Sequence, residues 1–188
     1  MKNMLLKGLL IDSTKVIIDK KTNPYWRAFL ANGYGEDEGE YLALRPVEAL
    51  YLLDFGRLIL YKDSKEINYD EAFQIFSQVI ENLWQYYVIY RDLRTRGFLV
   101  ITTNDKLLPF EVFPRGVTRF ESQPFAAVII AESFRAIKLE ELAYAIEKCK
   151  EKNLKLLIAI IDELGDVTYY LVEEALKAEA TLKIFRSG

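Results

Sequence analysis

The residues best placed to do chemistry lie between Tyr90 and Gly116, in the run YRDLRTRGFLV and, after a polar turn, in FEVFPRG. Arg91, Arg94 and Arg96 stand just ahead of Gly97, Arg115 lies in the second run, and Arg119 follows it. Planar guanidinium groups suit phosphate oxygens, so these five are candidates for anion contact. On a helix, Arg91 and Arg94 could instead pair with acidic neighbours. A second charged group is the turn Asp162-Glu163-Leu164-Gly165-Asp166, whose three carboxylates suit a solvated turn. The chain has 188 residues, no histidine and one cysteine, Cys149. No metal or cofactor is expected, because a zinc site needs several His or Cys ligands.

These groups need elements to hold them. Gly97 reads as a helix stop; Phe98–Thr102 and Phe110–Phe113 read as two strands joined by Thr103–Lys106. Ala126–Ala131 is apolar without alternation, which predicts a strand covered on both faces and central in its sheet. Leu139, Leu142, Ile146 and Cys149 predict one apolar stripe of a helix, with Cys149 as a small core residue. Leu156–Ile161 and Val167–Val172 predict two more strands about the acidic turn. In the first half, Leu9–Ile11 and Val16–Ile18 read as strands around Asp12-Ser13-Thr14. A helix from Tyr25 ends at Gly33 and Gly35, and Glu36–Gly39 reads as an exposed acidic loop. Pro46 opens a helix that Gly56 stops; Leu58–Tyr61 returns as a strand, and Asn68 with Glu71 forms a capping box for the next helix. The pattern changes near Leu83 or Trp84, with no linker. Trp84, Tyr86, Tyr87 and Tyr90 could stack on bases or pack in the core.

The fold class expected is an α+β N-terminal domain, a small antiparallel sheet with helices, over residues 1–83. An α/β C-terminal domain with a mixed sheet follows over residues 84–188.

YRDLRTRGF, FEVFPRG and IAIIDELGDVTYY, in that order, resemble the C-terminal domain of the archaeal tRNA-splicing endonuclease, the tRNA-intron endonuclease family. Gly33-Tyr34-Gly35 followed by LALRPVEALYLLDFGRLIL is similar to the family's N-terminal domain, so the likeness runs roughly from Asn23 to Tyr170. The resemblance implies metal-free RNA cleavage: a ribose 2′-hydroxyl attacks the adjacent phosphate and leaves a cyclic phosphate and a 5′-hydroxyl. That reaction needs a base, an acid and a cation on the developing charge, in the family a Tyr, a His and a Lys.

At the positions that match those motifs this chain departs from the pattern. Phe113 stands where the tyrosine belongs, and it has no proton to exchange. The histidine position falls at Ser122 or Gln123, neither of which is a cationic acid near neutral pH. The lysine position falls at Leu154 or, one residue along, at Lys155. The arginine that accompanies it is absent from Lys150-Glu151-Lys152-Asn153. What the resemblance implies is therefore a structural, non-catalytic subunit of a heterotetramer, two copies joined to two copies of a catalytic paralogue acting on bulge-helix-bulge precursor tRNA. It further implies that Asp162, Glu163 and Asp166 plug a basic groove on another subunit, although Leu164 interrupts a loop that is commonly more acidic. Thr168, Tyr169, Tyr170, Leu171 and Val172 would pair side by side with a second subunit. Arg91, Arg94, Arg96, Arg115 and Arg119 are the RNA-binding candidates. Three other readings stand beside this one: an active nuclease using Tyr87 or Lys155, a stand-alone RNA-binding module, and an unrelated dimer on the same fold.

Composition sets the outer limits. A content of 51% hydrophobic and 28% charged residues is that of an ordinary globular protein, and no apolar run is long enough to span a membrane. A net charge of -3 argues against a bulk basic coat for nucleic acid, so RNA contact would be local. A cytoplasmic location is the default expectation, and the tail from Glu173 to Gly188 is unassigned.

Overall fold

A computed structural model describes residues 4–131 and 137–172; the tail left unassigned above lies outside the described residues. Alternation sets the first sheet. In β1 (Leu6–Asp12) and β2 (Lys15–Asp19), Leu6, Leu10, Val16 and Ile18 point inward and their neighbours outward. Asp12 closes this hairpin by accepting the backbone N–H and hydroxyl of Thr14. After α1 (Trp26–Ala31) come β3 (Glu36–Glu38) and β4 (Tyr41–Leu44). The acidic segment expected as a loop is thus an edge strand. Glu36, Asp37 and Glu38 pair with Ala43, Leu42 and Tyr41, and Arg45, Lys20 and Lys15 offset the repulsion among the three carboxylates.

The helix α2 (Pro46–Asp54) leads to β5 (Leu58–Lys62), β6 (Lys65–Ile67) and α3 (Tyr69–Ser77). The expected capping box is present, Asn68 accepting the N–H of Glu71 and Glu71 that of Asn68. The strands order as β3-β4-β2-β1-β5-β6. Because the chain crosses over through α1 and α2 before β5, β1 and β5 run parallel, so the sheet is mixed.

The second half opens with α4 (Leu83–Thr95), then β7 (Phe98–Thr102), β8 (Phe110–Arg115), β9 (Ala126–Ala131), α5 (Leu139–Glu151), β10 (Lys155–Ile161) and β11 (Val167–Leu171). Its sheet orders as β11-β10-β9-β8-β7, with β9 central as its unbroken apolar run predicts. Ala126 and Val128 join the main core, and Ala127 and Ile129 join a smaller core beneath α5. Cys149 is buried there, its thiol pushed up to about 11 by desolvation. Leu139 departs from the expected stripe: in the first turn of α5 it is 82% exposed, and Leu142, Ala145, Ile146 and Cys149 form the packed face.

The main core runs through both halves, joining Leu50 and Tyr51 of α2, Phe76 of α3, Tyr87 and Tyr90 of α4 and Phe110 of β8. The aromatic cluster of α4 is mostly packing, although Trp84 is 47% exposed. One polar link crosses the same boundary. Glu48, fully enclosed, accepts the N–H groups of Gly35 (3.1 Å) and Arg45 (3.0 Å) and the hydroxyl of Thr102 on β7 (2.8 Å).

Removing Glu48 orphans three donors, those of Gly35 and Thr102 buried and that of Arg45 partly so. Glu48→Ala should therefore lower the unfolding free energy by about 3 kcal/mol in chemical denaturation. Burial holds the carboxyl above its ordinary value of 4.5, so its charging opposes folding. Its contribution is full below that value and falls as pH rises through the folded-state value. The stability difference between wild type and Glu48→Gln should shrink over that rise and then level off. Gly35→Ala should cost more than about 2 kcal/mol, since φ is +72° and an added Cβ would lie 2.7 Å from the Ala43 carbonyl oxygen.

Candidate functional site

The three positions singled out for chemistry meet at one end of the second sheet. The N–H of Phe125 donates to the Val112 carbonyl, and that of Lys155 to the Phe125 carbonyl, both at 2.9 Å. The ends of β8, β9 and β10 are thus laced together, and Phe113, Gln123 and the Leu154-Lys155 pair lie at them. Strand alternation then separates the side chains. Val112 enters the main core, so Phe113, 5% exposed, lies on the opposite face. Leu154 packs on the smaller core of that opposite face, whereas Lys155 shares the parity of Leu157 and Ala159. Phe113 and Leu154 therefore share a face and Lys155 belongs to the other one. Gln123 is exposed, and Ser122 donates its hydroxyl to the Gln123 carbonyl.

One cation on the Phe113 face escaped the sequence reading. Lys152 pairs with Glu111 of β8 at 2.7 Å, above a cavity of about 50 Å³ bounded also by Cys149 and Leu154. The signal was faint, since Lys152 lies in a charged helix end and Glu111 is one polar residue in an apolar strand. Tyr87, the alternative base, is buried and donates to Asp54, and desolvation followed by that bond raises its pKa far above the ordinary phenol. Among the described residues no group of three or more His, Cys, Asp or Glu side chains is placed to hold a metal ion.

The five arginines part company. Arg91 lies 3.6 Å from Asp54, and Arg96 pairs with Asp92 at 2.8 Å. Arg119 spans to the first half, its N–H on the Ala31 carbonyl and its Nη1 on that of Gly35. Arg115 lies over the ring of Phe98 at 4.5 Å. Arg94 is enclosed by Tyr34, Tyr51 and Tyr90, 4.0 Å from the centroid of the first, and donates to the Asn32 carbonyl at 2.9 Å. Desolvation pulls its pKa down, but the three phenols outweigh that and hold it above the ordinary value. Arg94 and Arg57 line a cleft of about 580 Å³ between the halves, walled by Tyr34, Tyr51, Phe55 and Phe98. Among the described residues neither cation has a carboxylate partner, and Nη2 of Arg57 is buried without a hydrogen bond.

At the far edge of the sheet, Asp162 shapes the acidic turn by accepting the N–H groups of Leu164 and Asp166, both at 2.9 Å. Gly165 takes φ +85°, and Leu164 stands 88% exposed. The edge strand β11 exposes Thr168 and Tyr170 and half-buries Tyr169 and Leu171, while Val172 sits in the smaller core. Tyr169 ties the strand to α4 by donating to Asp92 at 2.9 Å.

Comparison with known proteins fits this two-part design. Residues 8–73 match the tRNA intron endonuclease, N-terminal domain, and residues 83–169 match the tRNA intron endonuclease, catalytic C-terminal domain. The chain belongs to the tRNA intron endonuclease family. It is similar to the tRNA-splicing endonuclease of Methanothermobacter thermautotrophicus, 30% identical over 90% of this chain and 98% of that protein. The tRNA-splicing endonuclease of Pyrococcus horikoshii is 30% identical over 75% of this chain and 81% of its own length. That of Methanococcoides burtonii is 27% identical over 85% of this chain but only 44% of its own, longer length. Both family domains are therefore present in order, and the strand-end cluster and the acidic turn fall within the second.

Arg94→Ala should cost about 2 to 3 kcal/mol of stability by denaturant titration, through loss of the three aromatic contacts and the bond to Asn32. Tyr169→Phe should cost about 1 kcal/mol and speed amide exchange in β11 relative to β9.

Proposed function

We propose that this chain is a structural, non-catalytic subunit of a tRNA-intron endonuclease, working in the cytoplasm beside a catalytic paralogue in a two-plus-two assembly. The observation that carries the reading is the shared face of Phe113 and Leu154. Where metal-free cleavage needs a base and a cation converging on one phosphate, this face offers a phenyl ring and an isobutyl group. Gln123, exposed in the segment that leads into β9, supplies no proton at neutral pH. Lys155 leaves by the other side of the sheet, and Lys152 is held by Glu111. The Tyr, His and Lys for cleavage of precursor tRNA would come from the partner, and this chain would set the spacing of the partner's two active sites.

Two surfaces support assembly. The turn 162–166 projects Glu163 and Asp166 with an exposed Leu164 between them. The junction cleft offers the complementary chemistry, two arginines without counter-ions inside aromatic walls. A carboxylate-bearing loop from a neighbouring subunit would neutralise Arg57 and Arg94 and bury an apolar tip against the rings. The edge of β11, with Thr168, Tyr169, Tyr170 and Leu171, gives an open row of backbone groups for side-by-side pairing. In that assembly Arg91 and Arg96, paired with aspartates, and Arg119, bonded to a backbone carbonyl, are scaffold, Arg94 meets the docking loop, and Arg115 is the member of the five left to meet RNA.

Association with a catalytic-type subunit, followed by sedimentation, tests the reading. The pair Glu163→Gln and Asp166→Asn should weaken assembly at least tenfold, as should Arg57→Gln, with Asp162 left in place because it holds the turn. Unchanged assembly in both variants would overturn the loop-and-cleft account.

A further inference from the structure

Trp84 is the aromatic residue of α4 that the core leaves over, 47% exposed in the first turn of the helix. So large an apolar side chain is ordinarily well covered in a folded chain, and what lies beside it narrows what could cover it. A Cβ added to Gly165 would lie 3.9 Å from Cζ2 of Trp84, so the indole stands at contact distance from the backbone of the acidic turn. Helix and turn are held in that relation, because α4 lies against β11 and Asp92 accepts the Tyr169 hydroxyl at 2.9 Å further along. Within the turn, Asp162 accepts the N–H groups of Leu164 and Asp166, and Leu164, the residue before Gly165, is 88% exposed. Glu163 and Asp166 are exposed, and among the described residues neither forms an ion pair. An indole, an isobutyl group and two carboxylates without counter-ions are thus presented together.

We infer that Trp84 and the turn 162–166 form one docking element, with Trp84 as its anchor, and that it seats in an arginine-bearing, aromatic-walled cleft on a neighbouring subunit. Exposed carboxylates alone would gain little from pairing with guanidinium groups in water. The indole supplies what they lack. Its face attracts a guanidinium group, and it covers a large apolar area with only two rotatable bonds to freeze. A cleft of the kind that Arg57, Arg94, Tyr51, Phe55 and Phe98 make in this chain offers both chemistries, cations for Glu163 and Asp166 and rings for Trp84 and Leu164. Mounting the ring on a helix fixes it beforehand and reduces the ordering cost of docking. Nucleic acid is a poorer occupant, because the two carboxylates beside the indole repel phosphates. This inference rests on the loop-and-cleft reading above and extends that contact from the turn to the start of α4.

The test uses the full chain with its two tryptophans, Trp26 and Trp84, replaced by 5-fluorotryptophan, and an unlabelled catalytic-type subunit. Fluorine NMR then reports on this chain alone, and Trp84→Phe assigns the two signals. On mixing, the Trp84 signal should move and lose its sensitivity to exchange of water for heavy water, while that of Trp26 stays in place. Trp84→Ala should weaken assembly about tenfold by sedimentation, as expected of an interface anchor, with an unchanged denaturation midpoint, and Trp84→Phe should retain most of the affinity. Assembly with an unmoved Trp84 signal, and with Trp84→Ala assembling as wild type does, would overturn the inference and leave the carboxylates of the turn as the docking element. A lowered denaturation midpoint in Trp84→Ala with an unmoved signal would assign the ring to the fold and overturn it as well. A Trp84 signal moved by precursor RNA alone and not by the subunit would assign the ring to RNA, against the inference. Failure of the wild-type pair to assemble would overturn the loop-and-cleft reading itself and this inference with it.

Discussion

Glu48 receives three hydrogen bonds, two from backbone in the first half and one from Thr102 in the second, inside a core that excludes water. An isolated carboxylate could not be buried there, so the backbone about Gly35, the start of α2 and the strand β7 must hold their relative positions for it to be tolerated. The rest follows from that fixed junction. The rings of Tyr51 and Tyr90 meet edge to face across it, Arg94 slots between them and Tyr34, and Arg119 returns from the second half to the Gly35 carbonyl. The two halves therefore share one core, with a cleft along the seam that Arg57 and Arg94 line.

Much of this was legible in the residues, for physical reasons. The capping pair Asn68 and Glu71 acts within one turn, and the apolar run 126–131 needs both faces covered wherever it sits, so each could be read locally. The acidic strand Glu36–Glu38 could not. Its stability comes from Lys15, Lys20 and Arg45, which reach it only after folding. Lys65–Ile67 and Tyr41–Leu44 were missed because three- and four-residue strands show too few alternations to register. Leu139 fits a helical stripe by spacing alone, but spacing says nothing of where the partner layer ends.

The candidate site was legible as a set of positions and not as a geometry. Phe113, Gln123 and Leu154 could be named from motif order, yet their convergence depends on β8, β9 and β10 being neighbours, a long-range property. The register between Leu154 and Lys155 was open in the sequence. Strand parity adds only that Leu154 shares a face with Phe113 and Lys155 does not. The pairing of Arg96 with Asp92 is an i,i+4 contact along α4, whereas the pairing of Arg91 with Asp54 and the caging of Arg94 arise from packing between elements that no linear pattern contains.

The most direct test of the central claim is cleavage of an end-labelled bulge-helix-bulge RNA by the purified chain, alone and after mixing with a catalytic-type subunit. The account predicts no cleavage by the chain alone and cleavage in the mixture at a rate above that of the partner by itself. Cleavage by the chain alone, leaving a cyclic phosphate, would contradict it.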